Sequence, residues 1–168
     1  TLAAGESVAL LLDKTGFYGE QGGQVGDQGI ITTAAGASFE VEDTQRLGET
    51  VLHVGTLDAG TLAVGDRVLL NQSVGRRVDV MRNHTATHIL RWALREVLGD
   101  HVKQQGSWVG PDRLRFDFAH YAAISAEDLV AIEDLANHEL LSNAPVRHFE
   151  TSMDDARELG AIAFFGEK

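Results

Sequence analysis

The chain has 168 residues, a formal net charge of −11, 43% hydrophobic residues, seven histidines and no cysteine. This length and composition suit one domain or two small ones, and the lack of cysteine excludes disulfides and thiolate-ligated metal sites within the chain. No apolar run approaches the length of about 18 residues that suggests a membrane span, and no signal peptide is visible. We therefore expect a cytoplasmic protein that makes no membrane contact.

The charge is unevenly distributed along the sequence. Between Arg67 and Arg115 there are nine basic and four acidic residues, although the chain as a whole is acidic. A basic middle region suits an anionic ligand, while a surface of salt bridges explains it equally well.

The first part of the chain predicts short strands. Apolar runs separated by glycine-containing turns occupy residues 7–12, 28–32, 38–41, 50–54 and 67–70. Short strands at this regular spacing predict a small antiparallel β-barrel.

A glycine-rich segment lies between the first two predicted strands. Residues 16–29 contain six glycines in fourteen positions, which excludes a stable helix or a plain strand. We predict a loop whose backbone approaches a ligand and whose amides hold an anion or a ribose-phosphate. A barrel corner that requires positive φ angles is the alternative, with similar weight.

Two histidines lie four residues apart on the helix predicted over residues 79–98. This spacing places His84 and His88 on one helical face, roughly opposite the apolar stripe of Ala86, Leu90, Ala93, Leu94 and Val97. Two imidazoles on one face could share a metal ion, and a pair of solvated surface histidines is the alternative. Because a catalytic zinc has three protein ligands, the pair alone is an incomplete site.

The second half of the chain predicts helices packed on a sheet. We expect a basic connector at 73–78, strands at 102–109, 113–118 and 146–151, and a short helix at 154–159. Ser125 and Asp128 fit a capping box that opens a second long helix. The buried stripe of that helix is predicted to comprise Leu129, Ile132, Leu135 or Ala136, and Leu140. The order of elements indicates an α+β fold.

Several motifs, in the right order along nearly the whole chain, resemble the editing domain of bacterial alanyl-tRNA synthetase. They are residues 17–18 and 20–27, residues 77–90 with Asn83-His84-Thr85-Ala86-Thr87-His88, residues 113–120, and Phe165-Gly166-Glu167-Lys168. Free-standing alanyl-tRNA editing proteins share the glycine-rich loop and the histidine pair, and threonyl-tRNA synthetase shares the pair more distantly. The resemblance implies a β-barrel subdomain at 1–75 and an α+β editing core of the threonyl/alanyl-tRNA synthetase type at 76–168.

The resemblance also implies a reaction and a set of site residues. The reaction is hydrolysis of serine or glycine wrongly attached to tRNA(Ala). His84 and His88 would bind zinc together with a cysteine and a histidine of a later Cys-x-x-x-His motif that lies outside this chain. Thr87 and Gln104 match catalytic-site positions, and Gly22, Gly23, Gln24 and Arg82 are assigned to substrate or tRNA binding. ATP and magnesium would serve only the alanine-ligating domain of the parent synthetase, which nothing here resembles.

The chain is expected to be an excised piece of this larger synthetase and to be inactive alone. Two alternatives stay open: a fragment of a free-standing trans-editing deacylase, and a tRNA-binding module without catalysis. Loss of the following strands is expected to leave apolar surface uncovered around Phe164 and Phe165.

Overall fold

The computed structural model describes residues 1–145, 147 and 149–160. In chain order, the elements of this part are β1 (Leu2–Ala3), β2 (Ser7–Leu11), β3 (Gly29–Thr33), β4 (Ser38–Leu47), β5 (Thr50–Ala59), β6 (Thr61–Leu62), β7 (Val68–Gln72), α1 (Val74–Leu98), β8 (Lys103–Val109), β9 (Leu114–Ala119), α2 (Ala126–Leu141) and α3 (Met153–Glu158). None of these helices combines the length and apolarity needed to cross a lipid bilayer.

A five-stranded antiparallel sheet organises the first half of the chain. Its strand order is β2-β5-β4-β3-β7, and the short strands β1 and β6 pair separately. Alternate residues of the strands point to one side, where Ile31, Phe39, Val41 and Leu57 form a buried core with Phe17. The predicted strand pattern is confirmed, although β4 and β5 are longer than expected and form a hairpin of two ten-residue strands.

The predicted small antiparallel β-barrel is not confirmed. Among the described strands, β2 and β7 are the two edges of the sheet and do not pair with each other. A cleft of about 600 Å³, lined by Val8 and Leu10 of β2 and by Val68 of β7, lies between them. A closing pair would require the strands to lie about 4.8 Å apart. The sheet therefore curls around its core but stays open.

The histidine helix begins earlier than predicted. The prediction of a basic connector at 73–78 is wrong, because α1 begins at Val74 directly after its N-cap residue, Ser73. Its first turn has no capping hydrogen bond from the Ser73 side chain and no acidic residue, so the usual sequence signals of a helix start are missing. Arg76 instead donates to the carbonyl oxygen of Gly26 at 2.8 Å, a tertiary contact that holds this end of the helix.

The second core lies where α1 packs on α2 and on the β8–β9 hairpin. Its buried members are Ala93, Leu94, Val102 and Ile132. Ala93 and Leu94 belong to the predicted apolar stripe of α1. The capping box is also confirmed, since Ser125 Oγ accepts a hydrogen bond from the backbone N–H of Asp128 at 3.0 Å. Antiparallel sheets with a few packed helices agree with the predicted α+β class.

Three expectations for the second half need correction or fall outside the described residues. The stripe of α2 is narrower than predicted, because Leu129 and Leu140 are 52% and 48% exposed. Residues 147 and 149–151 do not form the strand predicted at 146–151, and residues 146 and 148 lie outside the described part. Phe164 and Phe165 also lie outside it.

Candidate functional site

The glycine-rich loop leaves the first sheet and docks on β8. The N–H of Val109 donates to the carbonyl oxygen of Gly23 at 2.8 Å. The N–H of Val25 donates to the carbonyl oxygen of Val109 at 3.0 Å. Gly23 has a φ of +82°, and an added Cβ would overlap the carbonyl oxygen of Ser107 and lie 2.8 Å from its Oγ. Glycine is therefore required at position 23 both for the backbone angle and for the close approach to β8.

A largely buried ion pair fixes the end of this loop to the start of α1. The carboxylate of Asp27 accepts from the guanidinium of Arg77 at 2.5 Å and from the N–H of Tyr18 at 2.7 Å. Arg77 also donates to the carbonyl oxygen of Gly16 at 2.9 Å. The loop is consequently held at both of its ends by contacts with the same guanidinium group.

This docking brings Gln24 into contact with the histidine pair. Nδ1 of His84 lies 2.5 Å from Oε1 of Gln24. An amide oxygen only accepts, so Nδ1 carries the proton and the lone pair of the neutral ring is at Nε2. The rings of His84 and His88 are stacked, with centroids 5.1 Å apart and an interplanar angle of 23°. His84 is half-buried and His88 is exposed, so neither belongs to the core, as the helical wheel predicted.

The surroundings of His88 favour a neutral imidazole. Partial desolvation lowers the pKa of His88, and the positive charges of His84 and Arg91 lower it further. A neutral ring offers a nitrogen lone pair, which is the form that ligates a metal ion. The pair thus has the chemistry of two metal ligands, and Gln24 is the kind of outer partner that orients a ligating histidine.

Further metal ligands are not found beside the pair. Within residues 1–145, 147 and 149–160, no three His, Cys, Asp or Glu side chains form a group that could hold a metal ion. Two other histidines, His101 and His120, contact each other at 2.8 Å, and His53 is buried in the first core. A zinc ion at His84 and His88 would need at least one further protein ligand.

Gln104 lies beside the docked loop. Its amide nitrogen is 3.3 Å from Oγ of Ser107, the residue against which Gly23 packs. The structure therefore brings together Gly22 and Gly23, Gln24, Gln104 and His84. Ser107 was not expected from the sequence, since no local pattern marks a serine whose neighbour is a glycine 84 positions earlier.

Thr87 and Arg82 lie on the same helix, but their hydrogen bonds are made within α1. Thr87 is buried, and its hydroxyl donates to the carbonyl oxygen of Asn83 at 2.8 Å. Arg82 is exposed and pairs with Asp79 at 3.2 Å. The side-chain amide of Asn83 donates to the carbonyl oxygen of Gly110 at 2.8 Å, which ties α1 to the turn after β8.

Comparison with known proteins shows which proteins this chain resembles. The family described as "tRNA synthetases class II (A)" matches residues 1–75. The alanine–tRNA ligase of Halorhodospira halophila is 52% identical over 167 residues, which cover 99% of this chain and 19% of that protein. The alanine–tRNA ligases of Nitrobacter winogradskyi and Bradyrhizobium diazoefficiens are 53% and 49% identical over 169 residues, which cover 100% of this chain and 19% of each protein. The chain is therefore homologous, over its whole length, to a segment that makes up about a fifth of alanine–tRNA ligases.

Proposed function

We propose that this chain is the editing part of an alanine–tRNA ligase and acts in hydrolysing Ser-tRNA(Ala) and Gly-tRNA(Ala). The parent enzyme would ligate alanine to tRNA(Ala) with ATP and magnesium in a domain outside this chain. Residues 1–75 would carry the loop to the site, and residues 76–168 would form the editing core. The observation that supports this most is the contact between Gln24 of the glycine-rich loop and His84 of the helical pair.

The need for such a site follows from the chemistry of the amino acids. A pocket that accepts alanine cannot exclude the smaller glycine, and it rejects an added hydroxyl group only weakly, by roughly 10². A second site that hydrolyses the wrong esters removes the remaining errors. A buried polar side chain in that site can select serine by bonding to its hydroxyl.

His84 and His88 would hold a zinc ion, whose other protein ligands come from the parent protein outside this chain. A zinc ion held there would supply Lewis-acid chemistry, polarising the ester carbonyl and making water a stronger nucleophile. Gln24 would keep His84 in the tautomer that presents Nε2 to the metal. This assignment uses the hydrogen bond already present, so no rearrangement of the loop is needed.

The other site residues have roles that fit their contacts. The hydroxyl proton of Thr87 is bonded to the Asn83 carbonyl, which leaves its oxygen lone pairs to accept from the hydroxyl of a seryl group. Gln104 would orient the substrate next to the docked loop. Nothing lies within 4 Å of the position of an added Cβ at Gly22, so the loop has an open side at which tRNA could approach. Arg82, exposed on α1, would contact a phosphate.

Deacylation assays with the full-length parent ligase test the proposal. Replacing His84 or His88 by alanine should abolish hydrolysis of Ser-tRNA(Ala) and Gly-tRNA(Ala) and lower the zinc content, while alanine charging continues. His138→Ala, which alters an exposed histidine on α2, is the matched control. Full deacylation by both variants of the pair would rule out the assignment. A non-catalytic tRNA-binding module would instead show no wild-type hydrolysis and only a change in tRNA affinity.

Metal analysis of the 168-residue chain tests the ligand count. Two imidazoles leave at least one protein position of a zinc site unfilled, so zinc should be lost on dialysis from this chain and retained by the parent. Stoichiometric zinc that depends on His84 and His88 in the isolated chain would show that the site is complete without outside ligands.

A further inference from the structure

A cleft on the surface of α1 begins at one member of the histidine pair. It has a volume of about 550 Å³ and is lined by His88, Arg91, Trp92, Arg95, Glu96 and Asp100. The cleft thus continues the candidate site along the helix, on the side of His88 away from the glycine-rich loop.

The tryptophan in this cleft is unusual for its position. Trp92 follows His88 by one helical turn and is 39% exposed, whereas its neighbours Ala93 and Leu94 are buried in the second core. A large aromatic ring left partly open beside two arginines is a typical arrangement of proteins that stack unpaired bases.

We propose that Trp92 stacks an unpaired base of single-stranded RNA, and that Arg91 and Arg95 contact the adjoining phosphates. The identity of this RNA as the 3′ end of an aminoacylated tRNA rests on the proposed function. In that case the cleft holds the terminal nucleotides of the tRNA while the ester lies at the histidine pair.

The spacing along α1 supports this arrangement. One helical turn separates His88 from Trp92, about 6 Å along the axis. A base stacked on Trp92 therefore has its ribose, which carries the ester, within reach of His88. Because Trp92 and His88 lie on the same helix, the distance between the stacking ring and the histidine is fixed.

The positions of the charged side chains suit an RNA sugar-phosphate backbone that enters the cleft at the His88 end. Arg91 lines the cleft together with His88, and Arg95 pairs with Asp100 at 2.5 Å. A guanidinium group has five N–H donors, so Arg95 can contact a phosphate without releasing Asp100. Glu96 and Asp100 border the same cleft and disfavour phosphates next to them, which limits the binding segment to a few nucleotides.

Fluorescence of the 168-residue chain tests the stacking directly. In Trp108→Phe, Trp92 is the remaining tryptophan, and a single-stranded RNA tetranucleotide ending in adenosine should quench it. An abasic tetramer of the same charge should not. Equal quenching by the two probes would overturn the proposal.

Substitutions then separate the aromatic ring from simple burial. Trp92→Leu keeps an apolar side chain without a π face and should weaken tetranucleotide binding about 5- to 140-fold, while Trp92→Phe should bind nearly as well as the wild type. Arg91→Gln should lower the slope of log K against log salt by about 0.7. Wild-type affinity in Trp92→Leu, or equal losses in the two tryptophan variants, would refute stacking. Circular dichroism checks folding, and the quenching experiment leaves Trp92 intact.

Steady-state deacylation by the parent ligase distinguishes this inference from the proposed function. Trp92→Leu should raise KM for Ser-tRNA(Ala) with little change in kcat and no change in alanine charging. Hydrolysis that depends on His84 but not on Trp92 would contradict the stacking role alone. RNA binding that depends on Trp92 in an enzyme without deacylase activity would contradict the proposed function alone.

Discussion

Replacing Gly23 by alanine should detach the glycine-rich loop from β8. The added Cβ would overlap the carbonyl oxygen of Ser107, and the φ of +82° is strained for any residue with a Cβ. Backbone groups of Ser107 belong to a paired strand and cannot move aside easily. Relief of the overlap therefore requires the loop to shift, and Gln24 would lose its contact with His84.

The size of the stability loss in Gly23→Ala can be worked out by comparison with the neighbouring Gly22. Gly22 also has a positive φ, +61°, but nothing lies within 4 Å of the position of its added Cβ. Gly22→Ala should therefore cost only the left-handed strain of about 1–2 kcal/mol. Gly23→Ala should lose, in addition, the two backbone hydrogen bonds with Val109, each worth about 0.5–1.5 kcal/mol. The difference between the two variants should be about 1–3 kcal/mol.

Urea unfolding of the two variants measures this difference, with Gly22→Ala as the matched control. In thermal unfolding of a chain of this length, a difference of 1 kcal/mol in the free energy of unfolding corresponds to about 2–4 °C in Tm. NMR of the His84 ring reports on the contact with Gln24, which should persist in Gly22→Ala and disappear in Gly23→Ala. Equal losses of stability in both variants, with the His84 signal unchanged, would refute the close approach of the loop to β8.

Three further predictions concern specificity, anchoring and pH. Thr87→Val in the parent ligase should slow hydrolysis of Ser-tRNA(Ala) about 5- to 150-fold and leave Gly-tRNA(Ala) unaffected; an unchanged kcat/KM ratio for the two esters would mean that the serine hydroxyl is bound elsewhere. Asp27→Asn removes the charge that bonds to Arg77 and should destabilise the chain by about 1.5–3 kcal/mol in urea. Asp112→Asn, at an exposed ion pair, should change stability by less than about 1 kcal/mol, and similar effects of the two would contradict a special role for Asp27. Burial lowers the pKa of His53, so the unfolded chain gains this proton first as the pH falls. The contribution to stability is therefore full above about pH 6.5 and declines below it, and His53→Gln should flatten the pH dependence of Tm between pH 7.5 and 5.

Local sequence patterns predicted the elements more reliably than their ends. The apolar stripe of α1 and the capping box at Ser125 are properties of a few neighbouring residues, and both are confirmed. The start of α1 was missed because Arg76 and Arg77 bind acceptors 50 residues away, in a loop. The predicted barrel was not confirmed, since strand spacing along the chain does not determine whether the two edge strands meet.

In the candidate site, too, some features follow from local sequence and others depend on tertiary contacts. The sequence by itself determined that His84 and His88 share one face of a helix, because helical periodicity is a local property. It also predicted a loop over residues 16–29, because six glycines disfavour regular structure, although Gly29 already belongs to β3. Only the tertiary structure decided that this loop packs on β8 and that Gln24 meets His84 across 60 positions of sequence. The physical reason is that the docking depends on the missing Cβ of Gly23 and on the ion pair of Asp27 with Arg77, contacts between segments that no local pattern relates.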